Sequence, residues 1–142
     1  ISDWRRPFQE IPIGKARRLK EGKDIAVLTI GNPGNDVVSI CEELVNQVSI
    51  EHWDMRFVAP VDTEALHSIC KKFNKIITIE DGILTGGFGS SVLEFMNDNH
   101  YNAEVRRLGI PDYFVEQGTQ NELYKECGFD LDSIRKVILE MI

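Results

Sequence analysis

Glu80 and Asp81 close an apolar run, Lys75-Ile76-Ile77-Thr78-Ile79, and a short loop later the chain carries Gly86-Gly87-Phe88-Gly89-Ser90-Ser91. Two carboxylates are the usual equipment of general acid–base catalysis. A glycine-rich turn that opens a helix is a ready anion cradle, because the first amides of a helix are free and its dipole is positive there. Neighbouring residues of a strand point to opposite faces, however, so Glu80 and Asp81 would not address one substrate atom. The glycines let backbone come close to something, either a phosphate or another stretch of polypeptide. Phe88 is a poor phosphate ligand and a good packing anchor, no Lys or Arg lies nearby in sequence, and the two acids oppose a polyanion. Residue chemistry therefore favours a structural or interface role for Glu80, Gly86, Gly87, Phe88 and Gly89 over phosphate binding.

The other constellations are weaker. Gly31-Asn32-Pro33-Gly34 also lies between a strand and a helix, but it lacks the GxGxxG dinucleotide fingerprint and the P-loop lysine, and Asp36 would repel a phosphate. Arg56 follows the apolar end of a strand and needs a carboxylate partner if buried, with Asp62 and Glu80 as candidates. A structural ion pair between Arg56 and Asp62 is expected. His52, His67 and His100 sit on different elements without an i, i+4 pair, and Cys41, Cys70 and Cys127 form no CxxC. No GxSxG elbow is present. No catalytic, cofactor-binding or metal-binding residue is therefore assigned.

The elements that position these residues follow from punctuation and periodicity. Strands are expected over Lys15–Leu19, Asp24–Ile30, His52–Phe57, Lys75–Glu80 and Glu104–Leu108, the last charged and near an edge. A helix over Asp36–Val48 carries Val37, Ile40, Cys41, Leu44, Val45 and Val48 in one stripe. Asp62 caps a second helix, the glycine turn opens a third, Thr119 with Glu122 forms a capping box stopped by Gly128, and Asp130 caps the last. Strands alternating with helices imply an α/β fold: three layers, a mostly parallel sheet of about five strands, and helices on both faces.

Bulk properties set limits. The chain has 142 residues and a formal net charge of −7. That balance argues against nucleic acid, whose binding needs a basic surface. Among its residues no apolar run approaches the ~18 residues of a membrane span. Three separated cysteines fit a reducing compartment, and the cytoplasm is expected. Residues 1–14, punctuated by Pro7, Pro12 and Gly14, read as a linker from an absent upstream domain, with one domain over residues 15–142.

Four blocks in order resemble one family. They are Ile13-Gly14-Lys15 with Leu19-Lys20-Glu21-Gly22-Lys23-Asp24; Arg56-Phe57-Val58-Ala59-Pro60-Val61-Asp62; Thr78-Ile79-Glu80-Asp81-Gly82 with Gly86-Gly87-Phe88-Gly89-Ser90; and Gly109-Ile110-Pro111-Asp112-Tyr113-Phe114-Val115-Glu116-Gln117-Gly118. They resemble the C-terminal, transketolase-like domain of 1-deoxy-D-xylulose-5-phosphate synthases, from about Ile13 to Ile142. Gln117 stands where that pattern usually has histidine, and Asp81-Gly82 where it usually has Glu-Asn. The resemblance implies a cytoplasmic homodimeric parent enzyme, a transferase that condenses pyruvate with glyceraldehyde 3-phosphate with loss of carbon dioxide, using thiamine diphosphate and Mg²⁺. Its product feeds isoprenoid and thiamine biosynthesis. In that family the diphosphate motif and catalytic residues lie in the preceding domains, and no GDGx-type motif occurs here. The resemblance thus implies a structural or dimerisation domain that is inactive alone, with the upstream domains of the same polypeptide and a second copy as partners. Near alternatives are the end of a transketolase or of a 2-oxo-acid dehydrogenase beta subunit. A stand-alone small-molecule-binding α/β module, with the Gly31 and Gly86 turns meeting at a topological switch point, is the alternative of a different class.

Overall fold

The computed structural model describes Pro7 and residues 9–142. The expected linker of residues 1–14 therefore lies partly outside the described residues. Five strands form one sheet: β1 (Arg17–Lys20), β2 (Ile25–Ile30), β3 (Ile50–Asp54), β4 (Lys75–Ile83) and β5 (Glu104–Ile110). Five helices accompany them: α1 (Gly34–Glu43), α2 (Thr63–Lys72), α3 (Phe88–Asp98), α4 (Gln120–Glu126) and α5 (Leu131–Glu140). The strand order is β1-β3-β2-β4-β5. Only β1 is antiparallel, against β3; β3–β2, β2–β4 and β4–β5 are parallel. This is the three-layer α/β architecture expected from the sequence, with the charged β5 at an edge.

The apolar strands are sided by parity, as a period of two requires. Ile25, Val27, Ile77 and Ile79 face one layer with Val37, Ile40, Ile134 and Ile138. Ala26, Leu28 and Ile76 face the other with Leu66, Ile69, Phe88 and Val92. So α1, α4 and α5 cover one face, and α2 and α3 the other. The chain winds from β2 to β3 on one side and from β4 to β5 on the other, which makes the gap between the C-terminal ends of β2 and β4 the switch point.

Element boundaries differ from expectation for local reasons. The expected helix to Val48 ends at Glu43, because Leu44 leaves helical geometry at φ −90 and ψ 10. Val48 is still buried, its amide held by the Leu44 carbonyl at 2.9 Å, so the apolar stripe outlasts the helix. Val45, placed in that stripe, is 58% exposed. β3 stops at Asp54, before the expected Phe57, where Arg56 takes the left-handed φ of 59. β4 runs three residues beyond Glu80 because Ile83 pairs with Ile110 after a register shift. The caps expected at Asp62, Thr119 and Asp130 all form, and Gly128 sits at φ +75 past α4.

Candidate functional site at the C-terminal edge of the sheet

Parity decides the fate of the two carboxylates. Glu80 belongs with Ile76 and Thr78, facing α3, and only 4% of it is exposed. Its Oε2 accepts from the Phe88 amide at 2.7 Å and its Oε1 from the Gly89 amide at 2.9 Å. These are first-turn amides of α3, the donors a bound phosphate would use. The cradle is thus filled by the domain's own carboxylate. Asp81 faces the opposite layer and is exposed, with Oδ2 accepting from the Tyr124 hydroxyl at 2.6 Å. The two acids do not converge.

The glycines fit this arrangement. A Cβ on Gly87 would lie 2.1 Å from the Ile83 carbonyl oxygen and 2.2 Å from Glu80 Oε2, so only glycine passes there. One on Gly89 would lie 2.6 Å from Thr78 Oγ1. Gly86 has φ +73, with open space at its Cβ position, and its amide donates to Ser90 Oγ at 3.1 Å. Phe88 is fully buried in the α2/α3 core. A bulky residue at position 87 would therefore strike the domain's own atoms before it reached any partner.

One cation escaped the sequence reading. No Lys or Arg is near the turn in sequence, but β5 delivers Arg107 to it. Its Nη1 donates to the Leu84 carbonyl and to Ser90 Oγ, each at 2.9 Å. The parallel pairing of Thr78 with Arg107 was the missing signal, since register is needed to place β5 beside the loop.

The Arg56–Asp62 pair does not form. Arg56 Nε lies 3.8 Å from Asp54 Oδ2. Asp62 instead caps α2, accepting from the Ala65 amide at 3.0 Å and the Ala16 amide at 2.9 Å, with Lys15 Nζ at 3.9 Å. The left-handed turn at Arg56 folds its side chain back toward the end of β3, and the Asp62 oxygens are committed to amides. Glu80, the other candidate partner, is committed likewise.

Beside the ends of β4 and β5, against α4, a cleft of about 370 Å³ is lined by Ile110, Val115, Leu123 and Phe129, with Asp81 and Glu116 among its polar groups. No Lys or Arg lines it. The Gly31 turn abuts Asp81, whose Cβ is 3.8 Å from where a Gly31 Cβ would stand, and not the Gly86 turn. The two glycine turns therefore do not combine into one phosphate site. Burial, then Asp81, pushes the Tyr124 hydroxyl above its ordinary pKa, so it stays a donor. Burial lifts the Cys70 thiol to about 11 and raises Cys41 and Cys127 too, which disfavours nucleophilic thiolates. Among the described residues no cluster of His, Cys, Asp and Glu could hold a metal ion. A diphosphate with its cation finds neither free amides nor a convergent acid set here, so no step through thiamine diphosphate is assigned to these residues.

Comparison with known proteins places this geometry. The family described as "Transketolase, C-terminal domain" matches residues 14–134. The chain belongs to the transketolase C-terminal domain family. Within this family, it is 56% identical over 139 residues to a 1-deoxy-D-xylulose-5-phosphate synthase of Cytophaga hutchinsonii, covering 97% of this chain and 22% of that protein. It is 46% identical over 143 residues to the synthase of Porphyromonas gingivalis, covering 100% of this chain and 23% of that protein. The chain thus spans about a fifth of the length of these curated relatives. Among solved structures, one titled "Split gene transketolase, inactive beta4 tetramer" superposes with a TM-score of 0.84 at 23% identity, covering 94% of this chain and 44% of that one. The transketolase of Campylobacter jejuni gives 0.64 at 18% identity, covering 89% and 18%. Both are likenesses of fold alone.

Proposed function

We propose that this chain is the C-terminal, non-catalytic domain of a thiamine-diphosphate-dependent 1-deoxy-D-xylulose-5-phosphate synthase. The parent enzyme would condense pyruvate with glyceraldehyde 3-phosphate, lose carbon dioxide and supply isoprenoid and thiamine biosynthesis from the cytoplasm as a homodimer. Thiamine diphosphate and Mg²⁺ would be held by the other domains. The observation that carries the structural role is the Glu80 carboxylate seated on the first amides of α3, which closes the most phosphate-like feature of the chain. The high identity to proteins named as this synthase supports the choice of reaction. The solved relative whose title names a tetramer supports association between copies; Gly87, Phe88 and Gly89 pack inside this domain, so that association would use another surface.

The test compares the full-length gene product with this chain. The full-length protein is expected to release carbon dioxide from pyruvate with glyceraldehyde 3-phosphate when thiamine diphosphate and Mg²⁺ are supplied. The isolated chain is expected to give no turnover and no calorimetric heat with thiamine diphosphate. Micromolar cofactor binding by the isolated chain, or ketol transfer between sugar phosphates in place of pyruvate condensation, would overturn the proposal.

A further inference from the structure

We propose that the C-terminal edge of the sheet is the surface on which the rest of the parent polypeptide packs; this rests on the reading of the chain as one domain of a larger synthase. β2, β3, β4 and β5 run parallel, so the loops after them emerge on one edge. Three of these connections present large apolar side chains to solvent. Val58, after β3, is 41% exposed; Ile83, at the end of β4, 48%; and Phe114, after β5, 94%, beside Tyr113 at 52%. Single exposed apolar residues need no explanation, but several on one edge mark an interaction surface. At the opposite edge, the ends of the strands are flanked mainly by charged residues, Lys23, Asp24, Lys72 and Lys75, together with the half-exposed Ile142.

The path of the chain identifies the occupant. β1 is antiparallel to β3, and its first residue, Arg17, stands beside Asp54, the last residue of β3. Ahead of it, the Ala16 amide bonds the Asp62 cap of α2, and Gly14 packs against Pro60, where a Cβ would lie 2.9 Å from Pro60 Cγ. The stretch leading into β1, through Gly14 and Ala16, therefore lies at the same edge that carries Val58. Ile11 and Ile13, on that approach, are 56% and 77% exposed and extend the apolar surface. The curated relatives devote all but about a fifth of their length to other segments, so ample polypeptide exists to cover it. A second apolar patch, Leu19, Val38 and Val45 beside α1, lies at the β1 side of the sheet, away from the loops after β4 and β5, and serves as the comparison surface.

The test uses the full-length gene product and amide hydrogen exchange. Phe114→Asp should speed exchange in residues 56–61 and 111–117 at least about tenfold relative to wild type, because the covering domain is lost from that edge. Val45→Asp, at a side chain also more than half exposed in this domain, should leave those rates unchanged. Equal rates in wild type and Phe114→Asp would overturn the proposal, as would acceleration caused by Val45→Asp alone. If the isolated chain sediments as a dimer that Phe114→Asp disperses, the edge is a self-association surface and the proposal also falls. Pyruvate condensation by the wild-type product is scored separately. Its absence with Phe114-dependent protection intact removes the synthase assignment and leaves the docking surface; its presence without that protection removes the docking surface alone.

Discussion

At the scale of single residues, His52 carries the clearest titration. It is 1% exposed on β3 and hydrogen-bonds Thr29 Oγ1 of β2 through Nε2 at 2.9 Å. The Thr29 hydroxyl donates its one proton to the Trp53 carbonyl at 3.1 Å, so the imidazole must be the donor and carries its proton on Nε2. Burial lowers its pKa to about 4, with Asp54 partly opposing and Lys20 assisting. The unfolded chain holds the ordinary value near 6.5 and binds a proton first as pH falls. Stability is therefore full above about 6.5 and is lost as pH drops toward 4, by about 3 kcal/mol across that window. Glu51 acts in a lower window: its burial raises its pKa, but Lys72, Trp53 and the Gly22 amide together bring it below the usual 4.5. Urea midpoints measured from pH 7 to pH 4.5 should fall progressively. An NMR titration of the His52 ring with a midpoint near 6.5 would contradict this account.

At the scale of elements, β4, its loop and α3 form one device. Glu80 ends the buried part of the strand and caps the helix that follows it, while Arg107 of β5 pins the connecting loop. Glu80→Ala strips two buried amides of their acceptor, and each unsatisfied donor costs about 1–3 kcal/mol. The folding constant of the variant is expected to fall at least about thirtyfold by urea denaturation, from two such donors. It also exposes a helix N-terminus beside a guanidinium, which is an anion site. Inorganic phosphate should therefore raise the melting temperature of Glu80→Ala and leave wild type unmoved at equal ionic strength. A wild type that phosphate stabilises as much as the variant would mean the carboxylate does not occupy the cradle. The strand–turn–helix layout, the parity of Glu80 and Asp81, and the caps at Asp62, Thr119 and Asp130 were legible in the sequence, because each is a local rule. The acceptor at the cradle was in plain view as Glu80, yet its role needed the close return of α3 against β4 that Gly87 permits. Arg107 near the loop, Tyr124 on Asp81 and Asp54 on Arg56 were not legible, since each depends on strand order, on a left-handed turn, or on how α4 packs.

At the scale of the whole molecule, one sheet is shared by two cores. β2 sends Ile25 and Val27 into the layer of α1 and α5, and Ala26 and Leu28 into the layer of α2 and α3; β4 does the same with Ile77 and Ile79 against Ile76. Neither layer can lose its packing without exposing strands that the other also needs. The chain should therefore unfold as one cooperative unit despite having two apolar clusters. Calorimetry of the 142-residue chain should give a single transition, with calorimetric and van't Hoff enthalpies equal and a heat-capacity increment of about 2 kcal/mol/K. Ile138→Ala on one face and Leu66→Ala on the other remove fully buried side chains, each costing about 2–5 kcal/mol. Both should move that one transition downward as a whole. If Ile138→Ala instead splits the endotherm, leaving an upper transition at the wild-type temperature that Leu66→Ala shifts, the two layers fold independently and the sheet does not couple them.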